Sequence, residues 1–185
     1  IDDKPVLWHV INQCKKTKLQ IIISTTTRKM DDPIIEIAKK SKVEFYRGSK
    51  NDVLDRYYQT AKKFGLKWII RITSDCPIID PNESVKVAKL LKSKKIDYVA
   101  LDDKTYPDGL DTEGFTFESL EQAWKNAKLS SEREHVSPYI QKNNFKKKII
   151  SNKKNLSHLR FTIDYKDDLK FLRAIFSKLK NKENI

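Results

Sequence analysis

Long apolar runs, cysteine and arginine are all scarce in this chain, and each scarcity narrows what it can be. No stretch of the 185 residues approaches the roughly 20 consecutive apolar positions that a membrane-spanning helix needs. The opening Ile1-Asp2-Asp3-Lys4-Pro5 has neither the basic start nor the apolar segment of a secretory leader, so the expected location is the cytoplasm. Cys14 and Cys76 are the only cysteines, too few for a disulfide framework and suited to a reducing compartment. Arginine supplies seven of the 38 basic residues, so the net charge of +13 rests mainly on 31 scattered lysines. Readers of bases and phosphates favour the bidentate arginine fork. The lysines therefore imply solvated surface more than a nucleic-acid partner, with part of the field free to attract an anionic small substrate.

What is present suffices for a core. With 38% hydrophobic and 10% aromatic residues the chain is not a disordered tail, and its length fits one domain over residues 1–185. Val6, Leu7, Val10, Ile11 and Cys14 recur at helical spacing, and Leu19 to Ile23 forms an apolar run. Asp31, Asp32 and Pro33 open a second helix, and Val43 to Tyr46 is a brief strand. Asn51 or Asp52 can cap a helix carrying Val53, Leu54, Tyr57, Tyr58, Ala61 and Phe64, with Gly65 at its C′ position. Further strands are expected at Trp68–Ile72, Ile96–Leu101, across Phe115 and Phe117, at Lys147–Ser151 and at His158–Ile163. Helices are expected from Pro81, through Leu120 and Trp124, and from Leu169 to Leu179. Short apolar strands separated by helices imply βαβ units, hence an α/β fold in three layers with a mostly parallel sheet. Ligands in such folds bind beyond the carboxyl ends of the strands.

Four strand-following segments are rich in polar groups. Arg47-Gly48-Ser49-Lys50-Asn51-Asp52 runs into a helix start whose amides can bind an anion, although it is also ordinary turn chemistry. Arg71-Ile72-Thr73-Ser74-Asp75-Cys76-Pro77 puts Asp75 at the end of an apolar strand, facing the expected crevice, too far from Pro81 for a simple helix cap. Tyr106-Pro107-Asp108-Gly109-Leu110-Asp111 contains a turn, with Asp108 assigned to it; Asp111 is either a hydroxyl acceptor or plain surface. Arg160-Phe161-Thr162-Ile163-Asp164-Tyr165 ends a second apolar strand in an aspartate. Asp75 and Asp164 occupy equivalent places and could converge on one Mg²⁺, a hard cation that takes one or two carboxylates plus substrate phosphates. Glu132-Arg133-Glu134-His135 offers both charges and an imidazole, or else is a solvated helix; His9 and His158 are structural.

Taken in order, these segments, with Asp52-Val53-Leu54-Asp55-Arg56-Tyr57 and Thr162-Ile163-Asp164-Tyr165, resemble the spore coat polysaccharide biosynthesis protein F family. That family groups with the cytidylyltransferases that make CMP-activated acylneuraminate and 3-deoxy-manno-octulosonate. The resemblance implies a Rossmann-like nucleotidyltransferase fold and an attack by a sugar acid's anomeric hydroxyl on the α-phosphate of CTP, releasing pyrophosphate with Mg²⁺. It implies Asp75 and Asp164 as metal ligands, with Arg71 beside them in catalysis. Arg71, Asp111, Glu134 and His135 fall on the sugar side, and Arg47, Ser49 and Asp52 near the nucleotide. It further implies a homodimer, and a first strand and phosphate-cradling loop ahead of Lys4-Pro5-Val6-Leu7, without which residues 1–185 turn over little or no CTP. Glycosyl transfer from a nucleotide-sugar donor, or a non-catalytic nucleotide- or polyanion-binding module, are the alternatives.

Overall fold

Apolar residues at helical spacing place α1 at Val6–Lys16, burying His9, Val10 and Ile11; the computed structural model to which it belongs describes residues 1–93 and 95–180. Strand β1 (Ile22–Thr26) follows, then a 3-10 turn (Lys29–Asp31) and α2 (Asp32–Lys40), which opens on Pro33. β2 (Glu44–Gly48) lies parallel to β1 with Ile22 opposite Glu44. Helix α3 (Val53–Lys63) is capped by Asp52, whose carboxylate accepts from the Asp55 amide at 2.8 Å. It ends before Gly65, whose φ of +61° is the left-handed conformation a C′ glycine supplies. The chain continues through β3 (Trp68–Arg71), α4 (Pro81–Ser93), β4 (Tyr98–Leu101), β5 (Glu113–Thr116) and α5 (Phe117–Asn126). Short helices α6 (Ser130–His135) and α7 (Pro138–Lys142), β6 (Lys147–Ile150) and α8 (Lys166–Lys180) complete it.

The second sheet has the order β3-β5-β4-β6. β5 runs antiparallel to both neighbours while β4 and β6 are parallel, so β3, β4 and β6 point the same way. The period-two alternation of these strands divides the core between two faces. Tyr98, Ala100 and Phe115 pack with Leu54, Tyr58, Leu120 and Ile140 of α3, α5 and α7. On the opposite face Val99 and Ile150 meet Val87 and Leu91 of α4. The result is helix, sheet, helix, as expected for strands buried on both sides. Among the described residues no helix is long and apolar enough to cross a membrane.

Two expected strands differ. Alternation across Phe115 and Phe117 stops at Thr116, whose hydroxyl accepts from the Ser119 amide at 3.1 Å and starts α5. Residues 158–163 form no strand, only a single parallel bridge between Asp108 and Arg160. Their apolar side chains, Phe161 and Ile163, pack instead with Ile1, Leu172 and Phe176 under α8.

A slot of about 840 Å³ lies between the two sheets, lined by Leu7, Val10 and Ile11 of α1, by β1 and by β3. Among the described residues neither β1 nor β3 pairs with a strand across it.

Candidate active site

Three segments leave the carboxyl ends of β3, β4 and β6 and meet. The Ile163 amide donates to the Asp75 carbonyl at 3.0 Å, which sets Asp164 beside Asp75. The Asp108 amide donates to the Leu159 carbonyl at 3.1 Å, and the Phe161 amide to the Asp108 carbonyl at 2.7 Å. Gly109 makes this approach possible: its φ is +94°, and a Cβ there would stand 2.4 Å from the Phe161 carbonyl carbon and the Thr162 nitrogen. Asp111 turns back so that its Oδ2 accepts from the Gly109 amide at 2.8 Å, and its side chain remains exposed.

The assembled face is acidic, with Arg160 inside it. The Arg160 guanidinium pairs with Asp108, Asp164 and Asp168. Its hydrogen bonds, with those from the Asp164 and Tyr165 amides, hold the Asp168 carboxyl down at about 2. Burial raises the Asp108 carboxyl above its ordinary range; Arg160 opposes this, while the Asp111 and Asp164 charges add to it. The Cys76 thiol donates to Asp75 Oδ1 at 3.4 Å. Burial, reinforced by the Asp75 and Asp111 charges, pushes that thiol up to about 12, so Cys76 is an inert prop and not a nucleophile. Asp75, Asp108, Asp111 and Asp164 thus share one negative field.

Among the described residues no three His, Cys, Asp or Glu side chains gather into a metal cage. Asp75, half-buried, and Asp164, exposed, stand on segments joined by the Ile163–Asp75 main-chain bond, and each offers carboxylate oxygens. That donor set fits a hard cation such as Mg²⁺, which completes its shell with water and substrate phosphate.

Arg71 ends β3 and lines the slot. Its Nη1 donates to Glu113 Oε1 at 2.9 Å, and its guanidinium stands 5.9 Å from the centre of the Tyr57 ring.

A second group surrounds the start of α3. Arg47 donates to the Thr26 carbonyl at 2.8 Å, to Asp32 Oδ1 at 2.7 Å and to the Arg28 carbonyl at 2.7 Å, bracing the loop that follows β1. Ser49 Oγ accepts from the Asp52 amide at 3.0 Å. Asp52, besides capping α3, receives Arg133 Nε at 3.1 and 3.0 Å, and Arg133 also donates to the Trp124 carbonyl at 2.7 Å. Asp52 and Arg133 therefore strut α3 against α6. Asp52→Ala loses the cap and the ion pair together, and a stability loss of about 1–2 kcal/mol is expected by urea denaturation; an unchanged midpoint would show that neither bond matters.

Within the polar run of α6, Glu132 is buried and accepts from the Lys128 and Leu129 amides at 3.3 Å. Glu134 and His135 are exposed, and among the described residues no hydrogen bond or ion pair engages their side chains. The residues that sequence reasoning missed are Arg160, Glu113 and Tyr98. A carboxylate beside Gly114 within an apolar strand was the available signal for Glu113; the arginine opening 160–163 was the signal for Arg160.

With the geometry in place, comparison with known proteins is informative. The sequence profile described as cytidylyltransferase matches residues 1–183. An uncharacterised protein of Methanocaldococcus jannaschii is 40% identical over 145 residues, 77% of this chain and 59% of its own length. This chain thus spans little more than half of that relative. The spore coat polysaccharide biosynthesis protein SpsF of Bacillus subtilis is 24% identical over 181 residues, covering 94% of this chain and 75% of its own. A cytidylyltransferase structure from Leptospira borgpetersenii superimposes with a TM-score of 0.91 at 33% identity, over 95% of this chain and 77% of that one. A CMP-2-keto-3-deoxy-manno-octonic acid synthetase solved with CTP gives a TM-score of 0.69 at 12% identity, over 95% and 88% of the two chains, and shares the Rossmann-like fold.

Proposed function

The chain belongs to the cytidylyltransferase family, and on that premise we propose that the full-length protein transfers CMP from CTP to a sugar acid, releasing pyrophosphate, in surface polysaccharide synthesis. One observation carries the reading: the Ile163 amide bonded to the Asp75 carbonyl at 3.0 Å, which joins the segment after β3 that carries Asp75 to the segment that carries Asp164. Asp75 and Asp164 would hold Mg²⁺, which when bound neutralises charge on the phosphates. Arg160 keeps Asp164 oriented and retains Asp108 and Asp168 as partners when that carboxylate turns to a cation. Arg71 offers a fixed positive charge toward the slot at the end of β3. Arg47 braces the loop after β1, and Ser49 and Asp52 fix the loop after β2, whose exposed Lys50 and Asn51 would face the nucleotide. Asp111, Glu134 and His135 form the sugar side, where exposed carboxylates and an imidazole can accept hydroxyl protons.

Titration of the full-length protein with the four nucleoside triphosphates, with and without Mg²⁺, tests this reading. CTP is expected to bind preferentially, only with Mg²⁺, and with weak salt dependence. Equal binding of all four, falling steeply with salt, would instead mark a polyanion-binding module.

A further inference from the structure

Glu113 lies on β5, between β3 and β4, and is buried. A carboxylate in that position is unfavourable unless each oxygen finds a donor, and both do. Oε1 accepts from Arg71 Nη1 at 2.9 Å, and Oε2 accepts from the Tyr98 hydroxyl at 2.6 Å. The Tyr98 oxygen in turn accepts from Gln141 Nε2 at 2.8 Å, and the same amide reaches Ser137 Oγ at 3.0 Å. Burial first, and the adjacent Glu113 charge second, hold the Tyr98 phenol well above its ordinary range, so its proton stays in place and the direction of each bond is fixed. The series runs Gln141 to Tyr98 to Glu113, with Arg71 donating from the opposite side.

Both ends reach groups that the proposed reaction uses. At one end Arg71 Nε is buried without a partner, so the guanidinium takes its orientation chiefly from Glu113 and the Tyr57 ring. At the other end Ser137 closes a tight turn: its amide donates to the His135 carbonyl at 2.9 Å across Val136, which has φ 72° and ψ −58°. A β-branched residue in this γ-turn conformation is strained, and such strain persists only where surrounding contacts enforce it. The turn immediately follows Glu134 and His135.

We infer that Glu113 is a positioning residue: with Tyr98 and Gln141 it holds the Arg71 cation at the carboxyl end of β3 and ties it to the α6–α7 turn that presents Glu134 and His135 to the sugar acid. The inference rests on the cytidylyl-transfer reading. Stability alone does not account for the arrangement, because a buried ion pair replaced by apolar residues is often neutral or stabilising.

The test compares Tyr98→Phe, Gln141→Leu and Glu113→Gln in the full-length protein by steady-state kinetics with CTP, Mg²⁺ and a sugar acid, alongside thermal melting. Tyr98→Phe keeps its ring in the core and removes one hydroxyl; kcat is expected to fall about tenfold or more with the KM for CTP within about twofold of wild type. Glu113→Gln should lower kcat further, by roughly a hundredfold. Gln141→Leu, which cuts only the α7 end, should raise the KM for the sugar acid and leave that for CTP unchanged. Folded Tyr98→Phe and Gln141→Leu proteins with wild-type kinetic constants, whatever their melting temperatures, would overturn the inference; Tyr98→Phe decides if Glu113→Gln does not fold. Absence of CTP-dependent pyrophosphate release in the wild-type protein would count against cytidylyl transfer itself, a distinct outcome.

Discussion

Replacing Asp75 or Asp164 by asparagine is expected to lower Mg²⁺-dependent pyrophosphate release from CTP by on the order of 10²- to 10³-fold while leaving the fold intact. A bound cation contributes several kcal/mol of charge stabilisation to phosphoryl transfer, and about 1.4 kcal/mol is tenfold in rate. Asparagine keeps the shape and one oxygen but removes the charge that would hold the ion. Structural damage should be small. The joint between the two segments is a main-chain bond from the Ile163 amide to the Asp75 carbonyl, which neither substitution touches. Asp164 is exposed, and its partner Arg160 keeps Asp108 and Asp168. Circular dichroism and melting of both variants should match wild type, while raising Mg²⁺ should recover part of the activity. Full activity in both variants would remove these carboxylates from the site.

Gly109→Ala should have the largest effect on stability, roughly 2–5 kcal/mol, combining left-handed strain with overpacking. The added methyl would stand 2.4 Å from two main-chain atoms of Phe161 and Thr162, and main chain cannot swing aside as a side-chain tip can. For a domain of this size each kcal/mol lowers the melting temperature by about 2–4 °C, so a drop of roughly 4–20 °C is expected. Gly65→Ala is the internal control: φ is also positive, at +61°, but nothing lies within 4 Å of the new methyl. It should cost only about 1–2 kcal/mol of backbone strain. Equal melting temperatures for the two variants would mean that the contact between residues 108–111 and 160–162 is not tight in solution. Because that contact carries Asp111 and Asp164 to the cleft, Gly109→Ala should also weaken Mg²⁺-dependent activity.

Local pattern reveals elements better than it reveals their arrangement. The capping role of Asp52 and the left-handed Gly65 were legible because a cap and a C′ glycine obey rules a few residues long. The insertion of β5, antiparallel, between β3 and β4 was not, since strand order is set by long-range packing that no short window contains. Residues 158–163 misled for a related reason: Phe161 and Ile163 alternate as strand residues do, but their apolar partners are on α8 and at Ile1. Asp75 and Asp164 each end an apolar run, which is what suggests them as a pair from sequence alone. Arg160, which neutralises three carboxylates of that face, and Glu113, which orients Arg71, were not legible, because a charged residue declares its partners only once the sheet is assembled.

The account stands most directly on the product formed. Full-length protein incubated with CTP, Mg²⁺ and a panel of nonulosonic and octulosonic acids should yield a CMP-sugar and one pyrophosphate per turnover, read by mass spectrometry. No CMP-sugar with any acid, or release of a nucleoside phosphate from a nucleotide-sugar donor with a new glycosidic bond, would contradict it.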